Sequence, residues 1–229
     1  MDTSLARISR RLALAALAIA ATSGAQATEG RWTYEVTVTN ITYNQQFTPL
    51  LLATHKPEIA FFKLGDPAIP ELATLAEEGN VAPLRALLQA SPLVHETVAG
   101  NGLLNPGKSI TFTIRGNPWR DRLSLAAMLI PTNDAFVALN AVPLPFIGAG
   151  EQTHFARAYD AGTEVNNELC VSIPGPNFVE CGGSGGGARA GGGEGFVHVH
   201  RGIHGVGDLK PINRDWRNPV AQVRVRFVR

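Results

Sequence analysis

Apolar and polar residues alternate over residues 32–39, with Trp32, Tyr34, Val36 and Val38 on one side and Thr33, Glu35, Thr37 and Thr39 on the other. Successive side chains of an extended chain point to opposite faces, so this pattern predicts a strand with one buried face. Ile110, Phe112 and Ile114 alternate with Thr111, Thr113 and Arg115 in the same way, just after the turn signal Asn105-Pro106-Gly107. Val223, Val225 and Phe227 alternate with Arg224 and Arg226 near the last residue. Residues 123–130 are apolar almost without interruption, which suits a strand near the centre of a sheet. The period changes over residues 70–78 and 81–90, where Leu72, Leu75, Leu84, Leu87 and Leu88 recur at helical spacing. Two short helices separated at Gly79-Asn80 are expected, with their leucines turned to the core as a lid or edge insertion. The scaffold is read as mainly β.

The first residues change the picture by setting a compartment. Arg7, Arg10 and Arg11 precede an apolar run that ends in small residues and the triplet Ala25-Gln26-Ala27. That order is a secretory signal peptide, expected to occupy residues 1–27 and to be removed. The run is about half of the ~20 residues a spanning helix needs, so no transmembrane segment is expected in the mature form. Residues 28–229 are read as one domain, expected to be a monomer exported to the periplasm or beyond the cell. The leader carries three arginines and one aspartate, so its loss takes the formal net charge from +1 to −1. A balance so near neutrality gives no electrostatic case for nucleic acid.

In an oxidising compartment the only two cysteines, Cys170 and Cys181, are expected to form one disulfide. Their spacing is not the Cys-x-x-Cys of redox centres. Residues 182–193 are nearly all glycine, with no Gly-Lys-Ser or Gly-Lys-Thr ending, and so read as a flexible surface loop rather than a phosphate cradle.

Candidate chemistry gathers in two turns. The apolar strand that runs to Ile130 ends in Pro131-Thr132-Asn133-Asp134, and a second turn, Asp160-Ala161-Gly162-Thr163-Glu164, sets two carboxylates four residues apart around a glycine. Calcium takes six to eight oxygens, and carboxylates joined by turn carbonyls and water commonly supply them. Acids in turns are also often solvated or cap helices, and the spacing is not the twelve-residue helix-loop-helix signature. His198 and His200 alternate to one side of an expected strand, with His204 shortly after. They are either a second, zinc- or copper-like site or loop-tying imidazoles bonded to backbone and to Asp208 or Asp215, the latter favoured. Trp216, flanked by Asp215 and Arg217, reads as a turn anchor.

Several of these segments resemble the spondin-type domain. They are Tyr34-Glu35-Val36-Thr37-Val38-Thr39-Asn40, residues 124–137 and Tyr159-Asp160-Ala161-Gly162-Thr163. The stand-alone bacterial branch is matched by Gly193-Glu194-Gly195-Phe196-Val197-His198-Val199-His200, Gly202-Ile203-His204-Gly205 and Asp215-Trp216-Arg217-Asn218-Pro219-Val220-Ala221. The resemblance implies an antiparallel β-sandwich of C2-like shape holding one Ca2+ ion at a loop end through Asp134, Asp160 and Glu164. The animal pattern has an aspartate where this chain has Glu164, and an aromatic where it has Ala135.

The function expected is a secreted calcium-binding module for recognition or adhesion, the ion structural, the partner a protein, glycan or lipid. Two alternatives stand beside it. One is a transition-metal hydrolase using His198, His200 and His204 with Glu194 or Asp208 as base. The other is a calcium-dependent peripheral membrane binder, for which Phe136 and Phe146 are the nearby apolar groups. No Gly-x-Ser-x-Gly elbow or other positive signal for catalysis is present.

Overall fold

A computed structural model describes residues 32–175, 179–182 and 191–229. The expected leader, and residues 183–190 of the glycine-rich stretch, lie outside the described residues. Among the described residues ten strands follow in order: β1 Thr33–Asn40, β2 Gln46–Phe47, β3 Leu51–His55, β4 Val94–Ala99, β5 Ser109–Arg115, β6 Arg122–Ile130, β7 Ala135–Pro143, β8 Gln152–Asp160, β9 His198–Val199 and β10 Ala221–Phe227. The helices α1 Pro70–Glu78 and α2 Ala82–Gln89 fall between β3 and β4. All four strands read from periodicity are present, as is the helical insertion.

The strands pair antiparallel in the order β4-β3-β6-β7-β8-β10-β1-β5, with β2 added beside β6 and β9 beside β8. The sheet doubles over into a sandwich, and β8 makes the corner. Its first half, Gln152 to Ala156, pairs with β10, whereas Arg157 to Asp160 pair with β7. Strand β8 therefore begins in one layer and delivers Asp160 to the edge of the other.

The principal core lies between the layers and includes Tyr34, Val36, Val38, Phe47, Leu125, Val137, Val223 and Val225, all fully buried. A second core, with Leu51, Leu72, Leu75, Leu84, Ala126, Phe136 and Ala138, fills the space beneath α1 and α2. Strand β6 is covered on both sides, which is why its sequence lacks alternation: Leu125 and Ala127 face the first core and Ala126 the second. Gly79 closes α1 in the left-handed region, at φ 67°, and its N–H bonds the Leu75 carbonyl. Of the five leucines read as core-facing, Leu87 is the exception, at 46% exposure, because α2 buries only Leu84 and Leu88.

Cys170 and Cys181 form the expected disulfide, with their Cα atoms 5.3 Å apart. Among the described residues no helix is long and apolar enough to cross a membrane.

Candidate metal centre

The turn between β6 and β7 is tied by Thr132, whose hydroxyl donates to the Leu129 carbonyl (2.5 Å) and accepts from the Ala135 N–H (3.2 Å). Asp134 is the last residue of that turn. Because Ala135 stands opposite Asp160 in the β7–β8 ladder, the register places Asp134 next to Asp160. The second turn then folds back over both. Asp160 Oδ1 accepts the Gly162 N–H (2.8 Å), while the Thr163 N–H (2.8 Å), Thr163 hydroxyl (3.1 Å) and Glu164 N–H (3.0 Å) all donate to Asp134 Oδ2. Gly162 is required here: its φ is +69°, and a Cβ would sit 2.2 Å from the Phe196 carbonyl oxygen.

The three residues predicted as ligands thus sit at one end of the sandwich and all are buried, Asp134 at 0%, Asp160 at 1% and Glu164 at 3% exposure, but their carboxylate oxygens do not form a set all within 4.8 Å of one another. Asp134 Oδ1 is sealed from solvent and has no hydrogen-bond partner among the described residues. Neither Asp134 nor Asp160 has a lysine or arginine ion-pair partner among those residues. Burial, with the charge of Asp160 beside it, pushes the Asp134 carboxyl up to about 7 against the backbone donors. Burial likewise raises Asp160, although Asn166 Nδ2 (2.7 Å) donates to its Oδ2. Buried carboxylates with an acceptor lacking a donor are costly unless a cation joins them. The donor set is hard oxygen, the chemistry calcium prefers.

The histidines do converge, but on Asp160 rather than on Asp208 or Asp215. His198 Nε2 lies 3.6 Å from Asp160 Oδ1 and 3.5 Å from Glu194 Oε2, and His200 Nε2 lies 3.7 Å from Asp160 Oδ2. The His200 ring is stacked on Trp216 with centroids 4.9 Å apart, and burial holds its pKa down to about 3, so the ring is neutral. Its Nδ1 accepts the Gly202 N–H (3.0 Å), which places the proton of the neutral ring on Nε2, toward Asp160. His204 lines the same small cavity as Asp160, Asn166, His198 and His200. Among the described residues, one set of three acidic, histidine or cysteine groups has its ligand atoms all within 4.8 Å of one another: Asp160, Glu194 and His198.

The two aspartates that the histidines were expected to meet bond backbone amides instead, and Asp215 also pairs with Arg217. Asp208 Oδ2 accepts the Cys170 N–H (2.8 Å), and Asp215 Oδ1 accepts the Ile203 N–H (3.3 Å). Trp216 is buried, as a turn anchor should be. Phe136 is fully buried under the helices, against Phe62 and Tyr159, and offers nothing to a membrane. Phe146 is exposed but stacks on Trp119.

Sequence reasoning missed Glu168. Its buried carboxylate accepts the N–H groups of His204 (2.5 Å), Gly205 (2.7 Å) and Val206 (3.0 Å), fixing the segment that follows the histidines. The glycines at 202 and 205 were the available signal, since three consecutive amides can converge only in such a tight turn.

The spondin N-terminal domain family model, Spondin_N, matches residues 27–168. The chain belongs to that family. No curated protein matches it. The spondin match contains Asp134, Asp160, Glu164 and Glu168 and ends before Glu194 and the histidines, so it stops short of the closing segments on which the wider resemblance was also read. The spondin family together with the disulfide marks a secreted, extracellular-type module.

Proposed function

We propose that this protein is an exported recognition or adhesion module whose loop end is organised by one structural calcium ion held by Asp134, Asp160 and Glu164. The observation that carries the reading is the pair of buried, adjacent carboxylates, Asp134 and Asp160, with no lysine or arginine opposite them among the described residues and one oxygen lacking any donor. Three carboxylates bring −3 against the ion's +2, so bound calcium relieves the repulsion that otherwise opposes this end of the fold. The chain's own residues prepare the site. Thr163 and Glu164 amides orient Asp134 and tie its turn to the second one, Asn166 and the Gly162 amide orient Asp160, and residue 196 packs closely on Gly162. With its loops fixed in this way, that end of the sandwich presents a rigid surface to a protein, glycan or lipid partner.

The test is thermal unfolding of purified, tag-free protein in chelator and in calcium. A rise in melting temperature with calcium, absent in Asp160→Ala and Asp134→Asn, is expected. An identical curve for the wild type in both conditions would refute the reading.

A further inference from the structure

The arrangement around His198 is not explained by calcium, which takes oxygen rather than imidazole nitrogen. His198 Nδ1 lies 3.2 Å from the Val199 carbonyl and donates its proton there, which leaves the lone pair of the neutral ring on Nε2. That lone pair faces two carboxylate oxygens, Asp160 Oδ1 at 3.6 Å and Glu194 Oε2 at 3.5 Å. Three acceptors turned on one another repel unless something positive sits between them. The Nε2 atom is sealed from solvent and makes no hydrogen bond among the described residues.

The spacing identifies what fits. Direct N–H···O bonds run about 2.7–3.2 Å, shorter than either separation. Ligands in a tetrahedral shell with bonds of about 2.0–2.2 Å stand roughly 3.3–3.6 Å apart, and the His198–Asp160 separation of 3.6 Å and the His198–Glu194 separation of 3.5 Å both fall in that range. A histidine that gives its other N–H to a backbone carbonyl is also the usual arrangement for a metal-bound imidazole. His200 Nε2 stands 3.7 Å from Asp160 Oδ2, beyond direct hydrogen-bond distance, and is not counted among the ligands.

We propose that Asp160, Glu194 and His198 form a second cation site, one that takes a zinc-class first-row divalent metal, with water completing the shell on the exposed side of Glu194. One nitrogen and two carboxylate oxygens suit such an ion and disfavour calcium. The site shares Asp160 with the calcium reading but does not depend on it, because Asp134 and Glu164 are not among its ligands.

Cobalt(II), a coloured substitute for zinc, separates the two. Purified, tag-free protein is stripped with chelator and titrated with Co2+ in saturating calcium, following the visible d–d absorption. One equivalent is expected to bind, and zinc to displace it. His198→Gln and Glu194→Gln, both at partly exposed positions, are expected to fold normally. Each should weaken cobalt binding by more than the roughly 10–100-fold that loss of even a supporting group costs, while keeping the calcium-dependent melting shift. Asp134→Asn should do the reverse, and Asp160→Asn should lose both. No cobalt uptake by folded wild type, or uptake unchanged in both His198→Gln and Glu194→Gln, overturns the second site, and His198 is then a protonated bridge between two acids. Loss of the calcium shift alone in the wild type, with cobalt uptake intact, removes the calcium reading and leaves this one standing.

Discussion

The two ends of strand β6 each carry a fully buried aspartate, Asp121 before it and Asp134 after it, and the protein treats them in opposite ways. Asp121 accepts from Lys56 Nζ at 2.9 Å and from the Asn117 N–H at 2.7 Å, and its Oδ2 lies 3.1 Å from His95 Nδ1. Burial pushes its carboxyl up, but these bonds and the lysine charge outweigh burial and hold it well below the usual carboxylate range. Among the described residues Asp134 has only amide and hydroxyl donors on one oxygen and none on the other, and its carboxyl is pushed up to about 7. Burial alone therefore says little about a buried acid. What distinguishes a structural ion pair from a cation site is whether the chain supplies the counter-charge itself.

The largest effect should come from the compensated end. Asp121→Asn removes the charge while leaving the Lys56 ammonium facing a neutral group, and breaking a buried pair in this way costs about 3 kcal/mol. For a domain of this size that is a melting temperature lower by roughly 6–12 °C, unchanged by calcium. A variant that unfolds at the wild-type temperature would show that the pair contributes nothing.

Next in size is calcium itself at the uncompensated end. Extracellular modules bind it at about 10⁻⁴ to 10⁻³ M, so about 10 mM calcium should stabilise the wild type by roughly 1.4–2.7 kcal/mol, or about 3–11 °C. Asp134→Asn should remove that shift. In chelator the same substitution should be neutral or stabilising by up to about 1 kcal/mol, because an asparagine oxygen still accepts from Thr163 and Glu164 and one buried charge is gone. If Asp134→Asn costs as much without calcium as Asp121→Asn does, the contrast between the two ends is lost.

Acid sharpens the comparison further. The Asp121 carboxyl titrates lower when folded than when unfolded, so between those values the unfolded state binds more protons. Its stabilisation is complete above the unfolded pKa and is lost as pH falls through it toward the folded value. Acid unfolding in calcium-free buffer should therefore be shallower below about pH 4 in Asp121→Asn than in the wild type. Parallel acid limbs would contradict the assignment.

Much of this architecture was legible in the chain. Alternation gave β1, β5 and β10, the unbroken apolar run gave β6, and leucine spacing with Gly79 gave both helices. Local signals go less far at the site. Asp134, Asp160 and Glu164 could be marked as turn acids, and family resemblance grouped them, but Glu194 could be placed only as an alternative base. It reaches Asp160 because residues 192–196 pack against the Gly162 turn, with the Gly195 N–H bonded to the Gly162 carbonyl at 2.8 Å. Phe136 looked like a rim aromatic because it follows Asp134 closely, yet strand alternation turns it under the helices.

The sequence by itself determined several of the extended segments, the helical insertion, the two acidic turns and which cysteines join, because those depend on side-chain period and backbone freedom over a few residues. Only the tertiary structure decided that β8 changes layers between Ala156 and Arg157, that the ladder sets Asp134 beside Asp160, and that His198 and His200 lie near the two oxygens of that same carboxylate. Those outcomes depend on pairing between distant strands and on the exclusion of water, and neither is written in any local stretch of residues.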